Sequence, residues 1–197
     1  MELQLQAFVT VLSLMNPAVC GMMFTASTSG LSSSQRLANA TKAAIAILVI
    51  LELSALLGAR ILSLFGISLD AFSVAGGGIL VWMGFSMLRG ATGETGDNTS
   101  LTPLILFAAS PGTITGVITL AVAHSRSELP VTALIAVAAA TLVTWLVMVL
   151  LAGGSGKAGG GGFVRSVVQS IMGLIVIAMG VQFGLTGLST FMAGAGR

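Results

Sequence analysis

Two prolines set inside apolar runs, Pro17 and Pro111, are the residues around which chemistry can be organised. Asn16-Pro17 falls in the first apolar run, and Ser110-Pro111-Gly112-Thr113 falls in the middle of the uncharged stretch Leu101 to Ala123. Proline removes a backbone donor from a helix and blocks the preceding turn, and the glycine after Pro111 adds no stiffness. Lipid offers no partner to the polar groups so released, so a break at membrane depth is tolerated where it is buried in protein or lines a watery cavity. A half-helix that starts at either proline would present N–H groups and the positive end of its dipole to a carboxylate. Carbonyls freed before each proline would accept from an ammonium group, so two facing breaks offer both poles of a zwitterion. The binding candidates are Asn16, Pro17, Ala18 and Cys20 in the first run, and Ser110, Pro111, Gly112, Thr113 and Thr115 in the second, with Gln182 added from the last run. The plainer account is that both prolines kink packed helices.

Glu52 is the sharpest isolated feature, a carboxyl near the middle of an apolar span. Such a group marks an ion or proton pathway by default and is a candidate coupling group. Its alternative is a neutral carboxyl bonded to a neighbouring helix. Gln182 and Ser86 read equally as polar helix contacts or as cavity lining. His124, beside Ser125-Arg126 at a span end, reads as interfacial. No catalytic residue is assigned, because the spans show no pairing of nucleophile with base. One histidine and one cysteine, Cys20, leave no metal cluster, no internal disulfide and no two-cysteine relay, and no cofactor is expected.

The elements that must position these residues are membrane helices. The chain is 55% hydrophobic and 7% charged, with a mean hydropathy of +1.05, whereas soluble domains carry about 25% charged residues. Net charge +2 rests on eight Lys/Arg and six Asp/Glu, too few to suggest a nucleic-acid partner. Six apolar segments emerge: about Leu5 to Ala26, Thr41 to Phe65, Ala71 to Leu88, Leu101 to Ala123, Val131 to Leu151, and Val167 to Leu185 with a continuation toward Met192. A Ser/Thr-rich connection is expected over Thr25 to Asn39, a tight turn at Gly66-Ile67-Ser68, and a flexible Gly/Ser loop over Gly153 to Gly162. The polar stretch 91–100 divides the chain into a first three-helix repeat, 1–90, and a second, 101–197.

Three crossings bring the second half in from the opposite face, so similar halves would form an inverted-topology repeat with broken first and fourth helices. Asn16-Pro17 and Ser110-Pro111 are 94 residues apart. Gly77 and Gly173, Met83 and Met179, Gly84 and Gly180, and Ser86 and Gln182 recur at an offset of 96. Arg36, Lys42, Arg89, Lys157 and Arg165 would share one side of the membrane against Arg60, Arg126 and Arg197, which puts both termini outside the cytoplasm.

The run Leu62-Ser63-Leu64-Phe65-Gly66-Ile67-Ser68-Leu69, followed by Ala75-Gly76-Gly77-Gly78-Ile79-Leu80 and Met87-Leu88-Arg89-Gly90, resembles the MarC family of membrane proteins. So do Asn16-Pro17, Pro103-Leu104, Ser110-Pro111-Gly112-Thr113-Ile114-Thr115, Ile171-Met172-Gly173-Leu174-Ile175 and Val181-Gln182-Phe183. The resemblance covers nearly the whole chain and implies a six-span bacterial inner-membrane protein of the LysE transporter superfamily. It further implies transport of small neutral amino acids such as glycine or alanine, with membrane lipids and a small-molecule substrate as partners. Ser110 stands where the family usually has glycine, and Cys20-Gly21 departs from its usual set. The competing class is a non-transporting membrane protein that binds a lipid, a quinone or a protein partner. A homo-oligomer is compatible with the glycine-rich faces at Gly76 to Gly84 and Gly173 to Gly184.

Overall fold

The computed structural model describes residues 2–89, 101–123, 129–153 and 162–195. The linker 91–100, His124 and the Gly/Ser loop at 154–161 lie outside the described residues. Eight α-helices and no strand are found among those described: α1 Glu2–Met15, α2 Pro17–Ser27, α3 Ser33–Leu64, α4 Leu69–Leu88, α5 Thr102–Ala108, α6 Pro111–Ala123, α7 Val131–Gly153 and α8 Gly162–Ala195. With α1–α2 and α5–α6 each taken as one crossing, six segments are long and apolar enough to span a membrane. The protein is a multi-pass, all-helical membrane protein.

The second span starts eight residues earlier than its apolar run. Ser32 and Gln35 form a capping box: the Ser32 hydroxyl accepts from the Gln35 amide, and the Gln35 side chain accepts from the Ser32 amide at 3.0 Å. The connection expected up to Asn39 is therefore helical from Ser33. At 32 residues, α3 is about 48 Å long at 1.5 Å per residue, well beyond a ~30 Å hydrocarbon core. Its far end closes at Gly66, whose φ of 67° suits glycine. The Gly66 amide donates to Ser63 and the Ile67 amide to Leu62, the paired bonds of a Schellman stop. Ser68 then caps α4 by accepting from the Ala71 amide at 3.1 Å. Gly66-Ile67-Ser68 thus ends one helix and begins the next.

Side chains on α3 and α7 tie those two helices together. Arg36, assigned to a loop by its composition, is a buried residue of α3. Its Nη2 donates to the Leu151 carbonyl at 3.0 Å, placing a cation at the negative end of the α7 dipole. Five residues on along α3 and six back along α7, the Trp145 indole donates to the Thr41 hydroxyl at 3.2 Å. The core between these helices and α1, α2 and α5 holds Phe24, Phe107, Met15, Ile47, Leu51 and Met148, all fully buried.

α4 and α8 meet backbone to backbone. A methyl group at Gly77 would strike the Gly180 carbonyl and come within 2.8 Å of the Gly184 nitrogen. One at Gly84 would sit 2.6 Å from the Gly173 carbonyl, and one at Gly173 would sit 2.9 Å from the Gly84 carbonyl. Small residues let membrane helices approach this closely, where dispersion and weak backbone contacts replace the hydrophobic effect. The glycine faces therefore serve contact within the chain. Gly78, next along α4, has nothing within 4 Å of the same added atom. Gly77→Ala is expected to lower stability by about 1–3 kcal/mol through overpacking, while Gly78→Ala stays within about 0.5 kcal/mol of the parent. Thermal melts in one detergent compare the two; equal melts would mean that α4 and α8 do not touch as described.

Candidate functional site

Asn16 lies between α1 and α2 in the left-handed region, at φ 47° and ψ 79°, the one non-glycine residue with positive φ among those described. Asparagine tolerates this region better than most residues. The helical ladder runs up to its amide, which donates to Leu12 at 3.0 Å, and resumes at Cys20, whose amide donates to the Asn16 carbonyl at 3.1 Å. Pro17, at the first position of α2, has no N–H to lose. The Asn16 Oδ1 accepts from the Val19 amide at 3.3 Å, and the Cys20 thiol donates to the Met15 carbonyl at 3.2 Å. Side chains of the break thus satisfy part of what proline removes.

The second break repeats this local solution. Ser110 precedes Pro111, and its Oγ accepts from the Thr113 amide at 3.3 Å and lies 3.2 Å from the Thr113 hydroxyl. The ladder re-forms through the Ile114 amide, which donates to the Ser110 carbonyl at 2.8 Å. Ser110 is 2% exposed and Thr113 is fully buried. Two hydroxyls in mutual contact share one O–H, so one hydroxyl hydrogen of the pair remains for another acceptor. Thr115 donates to the Pro111 carbonyl at 2.8 Å.

Three helices bring the breaks together. Leu14, two residues before Asn16, packs on the backbone of Gly116 in α6. Asn16 Nδ2 points at the Met179 sulfur at 4.0 Å, and the Phe183 ring lies on Gly112. Met179 and Phe183 are one turn apart on α8, so both breaks face the same stretch of that helix. Pro111 in turn packs against Gly76 of α4, where its Cα would lie 3.2 Å from an added methyl group. Asn16 and Gly112 are thus brought to neighbouring turns of α8, with Pro111 on α4 beside them; Pro17 and Cys20 follow Asn16 in α2, and Ser110, Thr113 and Thr115 flank Gly112 along the second break.

Two of the expected residues sit elsewhere. Ala18 is exposed. Gln182 is also exposed, and its amide donates to Thr186 of the same helix at 3.2 Å, because one residue before Phe183 is about 100° around the helix from it. Ser86 likewise bonds within its own helix, to the Trp82 carbonyl at 3.2 Å. Glu52 is half-buried on α3, and among the described residues no hydrogen bond or ion pair engages it. Met179, Phe183 and Gly76 carry no signal of a site in the sequence beyond the recurrence of Met179 at the repeat offset and the motif around Phe183. Met15, just before the first break, meets α7 instead, with the Thr144 hydroxyl 2.9 Å from its sulfur.

The left-handed backbone at Asn16 makes a test of the break. Asn16→Gly keeps that geometry and loses only the cap, a change of a few tenths of a kcal/mol to about 1 kcal/mol. Asn16→Val adds the strain of a branched residue at positive φ, about 1–3 kcal/mol. Ser110→Ala, which removes the other cap, is expected to destabilise by about 0.5–2 kcal/mol. Melting temperatures rank the three; a valine variant as stable as the glycine one would count against the geometry at Asn16.

A family model described as MarC family integral membrane protein matches residues 1–192. The chain is 29% identical over 208 aligned positions to the UPF0056 membrane protein YhcE of Escherichia coli, covering 95% of this chain and 92% of that protein. It is 31% identical over 193 positions to a UPF0056 membrane protein of Pyrococcus abyssi, covering 92% of each. An Escherichia coli protein named UPF0056 inner membrane protein MarC is 27% identical over 203 positions, covering 91% of each. No solved structure matches the chain significantly. With a match across almost its full length, the chain belongs to the MarC family of integral membrane proteins.

Proposed function

We propose that this protein transports small neutral solutes across the inner membrane, amino acids such as glycine or alanine first among them. The observation that carries the reading is the convergence of two proline breaks on Met179 and Phe183 of α8. Interrupted helices in matching halves are where transporters place their substrate sites. The groups available there are few and uncharged: the Gly112 amide in the first turn of α6, the Asn16 side-chain amide, and one hydroxyl hydrogen of the Ser110–Thr113 pair. With Gly112 and Gly116 in tight contact with Phe183 and Leu14, the junction suits a solute of a few heavy atoms.

The proposal includes an inverted repeat of 1–90 and 101–197, with alternating access between the halves and the termini outside the cytoplasm. Its support is a pair of contacts that exchange. If Gly77 corresponds to Gly173 and Gly84 to Gly180, the Gly77–Gly180 contact becomes Gly173–Gly84, which is the other close contact of α4 with α8. A twofold axis relates contacts in this way. The packing of Gly21 of α2 on Val147 and Leu151 of α7 is likewise mirrored, element for element, by Ile118 of α6 on Gly58 of α3. Glu52, a mid-span carboxyl without a bonded partner among the described residues, is the proposed coupling group.

A second reading draws on the same geometry. Caps from Asn16 and Ser110, the Cys20 bond to Met15, and the tight Gly76–Pro111 and Gly112–Phe183 contacts are also what packing alone would require in a protein that binds a lipid, a quinone or a partner.

Counterflow in proteoliposomes separates the two. Vesicles loaded with alanine are expected to take up labelled alanine or glycine, and Asn16→Leu should slow uptake at least about tenfold while the protein remains folded by circular dichroism; each tenfold is about 1.4 kcal/mol. Glu52→Gln should keep exchange and lose accumulation driven by a proton gradient. Absence of counterflow for every small amino acid tried, with lipids or quinones raising the melting temperature instead, would leave the second reading in possession.

A further inference from the structure

The outer face of α8 carries polar groups at a depth where lipid cannot bond them. Gln182 lies near the centre of the apolar stretch Gly173–Ala193 and is exposed. One N–H of its amide is bonded to Thr186. That leaves its carbonyl oxygen and a second N–H without a partner among the described residues. Ser189, also exposed, bonds only along the helix, to the Thr186 carbonyl at 2.9 Å.

These residues fall in a regular pattern. Ile175, Ala178, Gln182, Leu185, Ser189 and Met192 alternate in steps of three and four, and all six are exposed. The opposite face, with Gly173, Gly180 and Gly187, is the one that α4 covers. Steps of three and four are the spacing of a two-helix seam, and left-handed crossings of this kind are common between membrane helices. A polar residue at one position of such a seam fixes register and partner.

We propose that α8 is the self-association face of this protein, forming a parallel pair with α8 of a second copy across a twofold axis normal to the membrane. The occupant follows from the chemistry of Gln182. A primary amide is both donor and acceptor, so two copies meeting on a twofold axis satisfy each other reciprocally. Lipid chains offer neither function. Ala178, one turn away, lets the helices come close beside the amides. This inference does not depend on transport.

The one cysteine, Cys20, is buried, so Ser189→Cys introduces a single exposed thiol. Oxidation of that variant in lipid vesicles is expected to give a disulfide-linked dimer, whereas Leu188→Cys, exposed but about 100° around the helix, is expected to stay monomeric on a denaturing gel. Energy transfer between donor- and acceptor-labelled copies should show dissociation weakened roughly 3- to 10-fold by Gln182→Leu, a size typical of interhelical hydrogen bonds in lipid. Because Gln182 faces outward, its variant should melt with the parent in dilute detergent. The proposal is overturned by a monomer in lipid, by linkage at position 188 as efficient as at 189, or by a Gln182→Leu variant that associates as tightly as the parent.

Discussion

Every backbone donor and acceptor inside a lipid bilayer must find its partner within the protein. That constraint governs the two places where proline takes a donor away. Asn16 and Ser110 answer it in the same manner, each preceding a proline, each capping the new helix through the third residue after itself, and each returning its own carbonyl to the ladder one residue later. Once the breaks are locally closed they can sit in the interior, and the neighbouring helices pack on them as on any core element. Gly76 on Pro111, Phe183 on Gly112 and Leu14 on Gly116 are the contacts that result.

Much of this architecture is legible in the residues. Composition gives the class, and apolar runs give six crossings; Pro17 and Pro111 mark where a donor is missing. Three things are not visible at that level. The beginning of α3 hides in a Ser/Thr-rich segment that reads as a loop, although Ser32 and Gln35 carry the spacing of a capping box that locates it. Arg36 then belongs to a helix and is buried against the end of α7, a tertiary contact with no local signature. The direction of Gln182 is the third. A polar residue in mid-span fits a cavity or an outer face equally well, and only the phase of α8, set by its glycines against α4, decides which. The recurrence of Gly77 and Gly84 as Gly173 and Gly180 is readable, but which glycine meets which is a fact of the folded state.

α8 has two roles on two faces. Its glycine side holds α4 at backbone distance, and the turn bearing Met179 and Phe183 closes over both breaks. A shift of α8 along its axis or about it would therefore be felt at the break junction. Met179 suits such a position, since an unbranched thioether adapts its shape with little penalty.

The close fit of α4 with α8 also constrains the order in which the molecule can be made. Gly77 leaves the ribosome 96 residues ahead of Gly173, a delay of roughly 5–20 s at about 5–20 residues per second. Through that interval α4 is already synthesised while the helix that covers its glycines does not exist. The nascent first half must therefore wait, with a bare strip of backbone turned toward lipid or the insertion machinery, until α8 arrives. Closure of this contact is reserved for the synthesis of α8, and a chain that stops short of α8 is left with an interface for which it encodes no partner.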